Sequence, residues 1–412
     1  MKLCLAAPTF HPFYSGASER FRRYFPGFRA LGVEPIVFTG TPEPEKAALA
    51  GVEPWWEDDP PGRLLPPEEV DGVRVLRVRL PDRGGRRRAA SFARALSEYC
   101  LRSDTPPDLV QLYTPAVMAL PWLHRLARAG VPLVVARTMM PEMSEPGGGV
   151  VNRLAHWITT APIVCDIVGT EAMADAYRSL GIRHRVEVIP HGIDLSRFRP
   201  PATGEERSSL RRKLGLPDAA DVLLFVGALT ARKRVHLLVE SWARMSRERP
   251  DLHLVLVGPG GLDEPAASGE YGSRLRELME GANAPGRLHL PGEVKAVEEY
   301  YRAADLFVFP SSREGMPNAM VEAMASGLAV VTTAFSGLSG EVGEPGETFV
   351  LSEADPAHLA RMVESLLRDP ARCADLRTVA RKWCERHLSV EEAVRRYVEV
   401  YRGLVSVGYP EP

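Results

Sequence analysis

Short runs rich in Val, Leu and Ile alternate along the chain with longer stretches in which apolar residues recur every three or four positions. The runs are "KLCLAAP" (2–8), "EPIVFT" (34–39), "VRVLRV" (73–78), "DLVQLY" (108–113), "PLVVAR" (132–137), "APIVCDIVGT" (161–170) and "RVEVIP" (185–190). A second series follows: "DVLLFVG" (221–227), "LHLVLVG" (252–258), "RLHLPG" (287–292), "DLFVFP" (305–310) and "LAVVTT" (328–333). Strands of this continuous apolar kind, separated by amphipathic helices, predict parallel sheets covered on both faces. Two series predict an α/β protein with two Rossmann-like halves facing each other across a cleft.

The break falls in "HGIDLSRFRPPATGEERSS", where Gly192, Pro200, Pro201 and Gly204 interrupt the pattern. A hinge near residue 195 divides the chain into a first domain (1–195) and a second (196–388). The last amphipathic stretch, "SVEEAVRRYVEVYRGLVSV" (389–407), predicts a terminal helix, within 389–412, that packs back on the first domain.

Length agrees with this division, since 412 residues exceed one ordinary core and suit two domains of roughly 200 each. Charge removes one class of partner: 51 Lys+Arg against 53 Asp+Glu leave a formal charge of −2, with no global field for nucleic acid. No apolar run reaches the roughly 18 residues of a membrane span, and the first ten are too few for a secretion signal. The chain is therefore read as cytoplasmic. Five cysteines without a CxxC pair read as buried thiols, not a disulfide frame or zinc site.

The densest chemistry lies in "REGMPNAMVEAMASG" (313–327). Pro317 disfavours helical geometry at Met316 and suits a first helical position, so a helix is expected to start there. The amides of Asn318, Ala319 and Met320 would then lack intrahelical acceptors at the positive end of the helix, an anion site suited to a diphosphate. Glu314 falls on the preceding loop and Glu322 inside the helix, on the order of 10 Å apart. Such a separation suits the two ends of one long ligand better than an acid–base pair on one bond.

In "VGALTARKRVHLLVE" (226–240) a strand ends at Gly227, and Arg232 and Lys233 occupy the loop that follows. Cations there, at the carboxyl end of a strand, are placed to meet phosphates near the Asn318 helix start. Read alone, the "RKR" triplet is a solvated basic turn. In the first domain, Gly16 in "PTFHPFYSGASERF" (8–21) permits close backbone approach to a ligand, without a complete GxGxxG.

Together these stretches resemble the retaining GT-B glycosyltransferases of family 4, over nearly the whole chain and most strongly over 163–387. "GALTARKRVHLLVES", "VIPHGIDLSRFRP" and "REGMPNAMVEAMASGLAVVTT", with its E-x7-E spacing, resemble the family's three signature segments and occur in the same order. The resemblance implies a nucleotide sugar in the cleft, mostly on the second domain. Glu314 would hold the donor sugar's hydroxyls, Glu322 the ribose hydroxyls, Lys233 the diphosphate with Arg232 beside it, and the Asn318 and Ala319 amides the distal phosphate. Gly227, Gly315, Met316 and Pro317 would complete the donor-binding set, and Gly16 would close on the diphosphate.

Two departures bear on this reading. The family's Arg after the first strand's Gly is Ala228 here, and its first-domain His is Thr138, with "QLY" (111–113) in place of an H-x-H. Acceptor recognition is thus expected to differ, with His11, Tyr113, Arg137 and Thr138 as candidates for that wall. The implied reaction moves a sugar, most often from a UDP donor, to a hydroxyl acceptor (glycan, glycolipid or small molecule), with no metal or other cofactor. A non-catalytic partner subunit or a nucleotide-sugar epimerase on the same fold is the alternative.

One charge feature remains. Between residues 74 and 102 nine arginines (74, 77, 79, 83, 86, 87, 88, 94 and 102) stand against Asp82 and Glu98 only. With the aromatic, basic stretch "ERFRRYFPGFRALG" (19–32), this reads either as a solvated surface or as a peripheral contact with the inner face of a membrane.

Overall fold

The computed structural model describes residues 1–13, 16–49, 52–113, 117–141, 160–260, 270–282 and 284–407. The chain divides into two compact units: Met1–Gly192 with Val390–Pro412, and Ile193–Ser389. The terminal segment thus belongs to the first unit although it follows the second in sequence.

The first unit is built on eight strands: β1 (Lys2–Ala7), β2 (Glu34–Gly40), β3 (Glu68–Val70), β4 (Val73–Val78), β5 (Leu109–Leu112), β6 (Leu133–Ala136), β7 (Cys165–Val168) and β8 (Arg185–Val188). They lie in the order β3-β4-β2-β1-β5-β6-β7-β8. All pairings are parallel except β3 with β4. β3, the acidic tripeptide "EEV", is absent from the sequence reading because it has no apolar run to mark it.

The aromatic helix Gly16–Ala30 packs its rings inward, not toward a surface. Phe21, Tyr24, Phe25 and Phe28 are fully buried, and Tyr397 and Tyr401 of the terminal helix Val390–Val407 meet them from the other side, Tyr397 lying 5.4 Å from Phe21 between ring centroids and Tyr401 6.1 Å from Phe28. Pro26 sits inside the helix without ending it. These rings make a core, so this stretch is not the lipid-facing element that its composition suggests. Arg77 and Arg79 are interior as well: β4 is covered on both faces, and Arg77 spans inward to Glu68 at 3.0 Å.

The second unit holds β9 (Asp221–Val226), β10 (Leu252–Val257), β11 (Leu288–Gly292), β12 (Leu306–Phe309), β13 (Ala329–Thr333) and β14 (Val350–Ser352). Their order is β11-β10-β9-β12-β13-β14, all parallel. The order reverses between β9 and β12, the point at which open α/β sheets leave a crevice outside their carboxyl ends. Gly227 follows β9 there, and the 310–317 loop follows β12.

Candidate functional site

Three loops meet at the carboxyl edge of the second sheet. The Ser312 amide donates to the Arg232 carbonyl at 2.9 Å, the Ser336 amide to the Ser312 carbonyl at 2.9 Å and the Glu314 amide to the Ser336 carbonyl at 2.9 Å. The β12 loop is thereby clamped between the β9 and β13 loops. Its rigidity fixes Glu314, whose side chain is 9% exposed.

One oxygen of Glu314 collects three donors. Oε1 lies 2.8 Å from Arg232 Nη1 and 2.8 Å from Lys233 Nζ, and it also accepts from the Ser311 hydroxyl. Arg232 Nη1 donates in addition to the Arg313 carbonyl at 2.7 Å. Among the described residues, Oε2 of Glu314 has no such partner. Lys233 Nζ rests 4.8 Å above the centre of the Phe309 ring, a further attraction for its charge. Burial nonetheless holds the Lys233 ammonium below the ordinary lysine pKa, with Glu314 opposing that shift.

Room for this lysine comes from Gly227. At φ +148 it adopts a backbone that side chains rarely take, and a Cβ there would lie 3.3 Å from Phe225 Cζ and 3.5 Å from Lys233 Cε. Gly258, after β10, backs it: a Cβ on Gly258 would fall 2.3 Å from the Gly227 carbonyl oxygen.

The helix starts within one residue of Pro317, as expected, but its first amides are not all open. The helix runs Asn318–Ala325, and Pro317 precedes it at φ −80 and ψ 69, the geometry of an inverse γ-turn. That turn directs the Asn318 amide to the Met316 carbonyl at 2.9 Å, while the Met320 amide donates to the Pro317 carbonyl at 3.0 Å. Of the three amides expected to be open, only that of Ala319 lacks a backbone acceptor among the described residues. Gly315 and Met316 are both buried, and the Met316 side chain joins the core of the second unit, so their part in any ligand contact is confined to the backbone.

Glu322 is half-buried and held. The Tyr301 hydroxyl donates to its Oε2 at 3.1 Å and approaches the Ala319 carbonyl at 3.1 Å. Tyr301 itself is fully buried, and burial followed by the neighbouring Glu322 charge pushes its phenol well above the ordinary value. Neither Ser311 nor Tyr301 stands out in the sequence. Ser311 is one of two adjacent serines in the loop after β12, and Tyr301 one of two adjacent tyrosines on the helix before it.

The acceptor candidates of the first unit divide into committed and exposed side chains. Arg137 forms a two-pronged pair with Asp166, 3.2 Å to each oxygen, and lies 4.9 Å over the Tyr177 ring. Asp166, which is fully buried, also faces His184 Nε2 at 3.3 Å. Tyr113 sets its ring edge-on to Phe21 at 5.6 Å, and burial raises its phenol far above the usual range. His11 is exposed and its carbonyl accepts from Arg77 Nη2 at 2.8 Å, while Thr138 is half-buried just beyond β6. Gly16 opens the first helix, and the loop residues 14 and 15 before it lie outside the described residues.

Two family models match the chain: "Glycosyl transferase 4-like domain" over residues 15–192 and "Glycosyl transferases group 1" over residues 206–383. Among similar proteins, a D-inositol 3-phosphate glycosyltransferase of Corynebacterium urealyticum is 32% identical over 228 residues, 53% of this chain and 51% of that protein. One from Thermobispora bispora is 30% identical over 303 residues, 68% of this chain and 67% of that protein. The chain spans about half the length of most of the curated relatives it matches. In solved structures, Anabaena HepE in complex with UDP superposes with a TM-score of 0.75 at 19% identity over 98% of this chain and 100% of that one. Sucrose-phosphate synthase from Thermosynechococcus elongatus superposes with a TM-score of 0.74 at 21% identity over 98% and 99%. With its two parallel-sheet units, its two matching domains and its relatives in agreement, the chain belongs to the group 1 glycosyl transferases and has the GT-B fold.

Proposed function

We propose that this chain is a retaining glycosyltransferase that moves a sugar from a nucleotide sugar, with UDP the expected nucleotide, to a hydroxyl acceptor. The observation that carries the proposal is the convergence of Lys233 and Arg232 on one oxygen of Glu314, while its other oxygen accepts no hydrogen bond among the described residues. Two cations held by a carboxylate before substrate arrives are preorganised for a diphosphate, and the second oxygen remains to accept from a sugar hydroxyl. Glu322 takes the ribose hydroxyls, and the Ala319 amide adds a neutral donor for the distal phosphate.

In this mechanism the bond from the anomeric carbon to the diphosphate oxygen breaks as the acceptor oxygen bonds to the same face. The acceptor's proton passes to the departing phosphate oxygen, so no protein base is required. Lys233 and Arg232 stabilise the charge that accumulates on the leaving group. No metal or other cofactor enters the scheme, and turnover is expected to be equal in chelator and in magnesium. Because similar proteins are D-inositol 3-phosphate glycosyltransferases, inositol 3-phosphate is the first acceptor to try, and Thr138 and His11, whose side chains are not fully buried, are the residues to vary first on the acceptor side.

The test is nucleotide release from UDP-, GDP- and ADP-sugars by the purified protein, with and without candidate acceptors. Absence of release and of saturable binding for every donor would sink the reading. A non-catalytic subunit, suggested by Ala228 and Thr138, would bind a donor without turnover, and Glu314→Ala would then change nothing that depends on catalysis. Peripheral membrane contact now rests on exposed arginines of the Gly85–Arg102 helix, such as Arg86, Arg87 and Arg102, and sedimentation with anionic vesicles tests it.

A further inference from the structure

Tyr301 lies at the end of the Val297–Ala303 helix, which leads into β12, while Glu322 lies on the Asn318–Ala325 helix, which follows β12. The two segments flank one strand and are joined by a single phenolic hydroxyl. It lies 3.1 Å from Glu322 Oε2 and 3.1 Å from the Ala319 carbonyl, three residues apart on the same helical turn. The ring cannot turn away. It is fully buried, with Phe198 edge-on at 5.9 Å and Phe307 at 5.7 Å.

We propose that Tyr301 is a positioning residue for the nucleotide: its hydroxyl fixes the carboxylate of Glu322 for the ribose diol, without touching the ligand itself. The inference rests on the donor-site reading above, in which Glu322 meets the ribose. A glutamate on a helix has three freely rotating bonds, and a carboxylate that must accept two adjacent hydroxyls gains from having one oxygen held beforehand. The hydroxyl can only donate to the charged carboxylate. Because burial and Glu322 both oppose its ionisation, it remains a donor throughout the working pH range.

The variant is Tyr301→Phe, which keeps the ring and its packing. UDP, GDP and ADP are each titrated calorimetrically into the full-length protein, and the tightest is compared with its 2′,3′-dideoxy counterpart. Wild type is expected to prefer the ribonucleotide. Tyr301→Phe should weaken that nucleotide about tenfold, on the scale of one hydrogen bond to a charged group, while leaving the dideoxy form within about twofold, the usual scatter of a neutral substitution. Adding Tyr301→Phe to Glu322→Ala should then change nothing further. An equal loss for both nucleotides would mark a general disturbance of the fold and overturn the proposal, as would an unchanged preference. A wild-type protein that binds none of the three, or that fails to distinguish the dideoxy form, overturns the donor-site reading itself.

Discussion

Lys233 Nζ and Glu314 Oε1 stand 2.8 Å apart, in a place where the ammonium is largely removed from water. The pair joins a loop after β9 to a loop after β12, so the strands on either side of the sheet's reversal point are tied by charge at the sheet's carboxyl edge.

Removing the carboxylate charge strands both cations. For Glu314→Gln we expect donor turnover to fall by about a hundredfold or more and stability by on the order of 2 kcal/mol, less than a fully buried pair because Arg232 keeps solvent contact. Nucleotide release and urea unfolding of the same preparation measure the two effects. A variant with full turnover would exclude Glu314 from the reaction.

The lowered pKa of Lys233 has a sign that can be read in kinetics. Between that value and the ordinary 10.5, the unfolded chain keeps a proton that the folded chain has released, so this residue makes stability rise with pH across the window. On the proposed donor reading, the diphosphate loses its cation over the same window. The alkaline limb of kcat/KM, which reports the free enzyme, should therefore lie below pH 10.5 and should vanish in Lys233→Arg, whose guanidinium does not titrate there. An identical limb in that variant would assign it to another group.

Arg137 and Asp166 test whether a sequence-derived acceptor candidate is structural. Asp166 has no exposed surface and carries the Arg137 pair. Asp166→Asn should cost on the order of 3 kcal/mol by leaving a buried guanidinium without its counter-charge, yet leave nucleotide affinity unaltered, because the side chains proposed to hold the donor, Glu314, Glu322, Arg232 and Lys233, belong to the other unit. Chemical denaturation and calorimetry decide. Unchanged stability with a raised acceptor KM would instead return Arg137 to the acceptor wall.

Gly258→Ala places a methyl group 2.3 Å from the Gly227 carbonyl at φ +138. Both the contact and the backbone resist, for a loss of about 2–4 kcal/mol. Since Gly227 makes room for Lys233, nucleotide affinity should fall with it. A normal urea midpoint would show that the close approach is not maintained in solution.

Much of the architecture was legible because parallel strands buried on both faces leave unbroken apolar runs, as in "LHLVLV" of β10. β3 and β14, three residues each, leave too short a trace. In the donor site the residue types and their spacing could be read, but their partners could not. The pairing of Lys233 and Arg232 with Glu314 depends on how two loops distant in sequence meet. The closed Asn318 amide depends on ψ at Pro317, which composition does not fix. The arginine cluster misled for a related reason: charge counting does not register that Arg77 and Arg79 point into the protein.

The helix Val390–Val407 completes the first unit, covering Phe21, Tyr24 and Phe28 with Tyr397 and Tyr401. On the ribosome, the first of these two units to be started is therefore the second to be finished. Its aromatic core waits uncovered while some two hundred residues of the second unit, Ile193–Ser389, are translated, about 10–40 s at ordinary elongation rates. A nascent chain arrested before residue 390 would hold a complete second unit beside a first unit vulnerable to proteases, an order of maturation opposite to the order of the sequence.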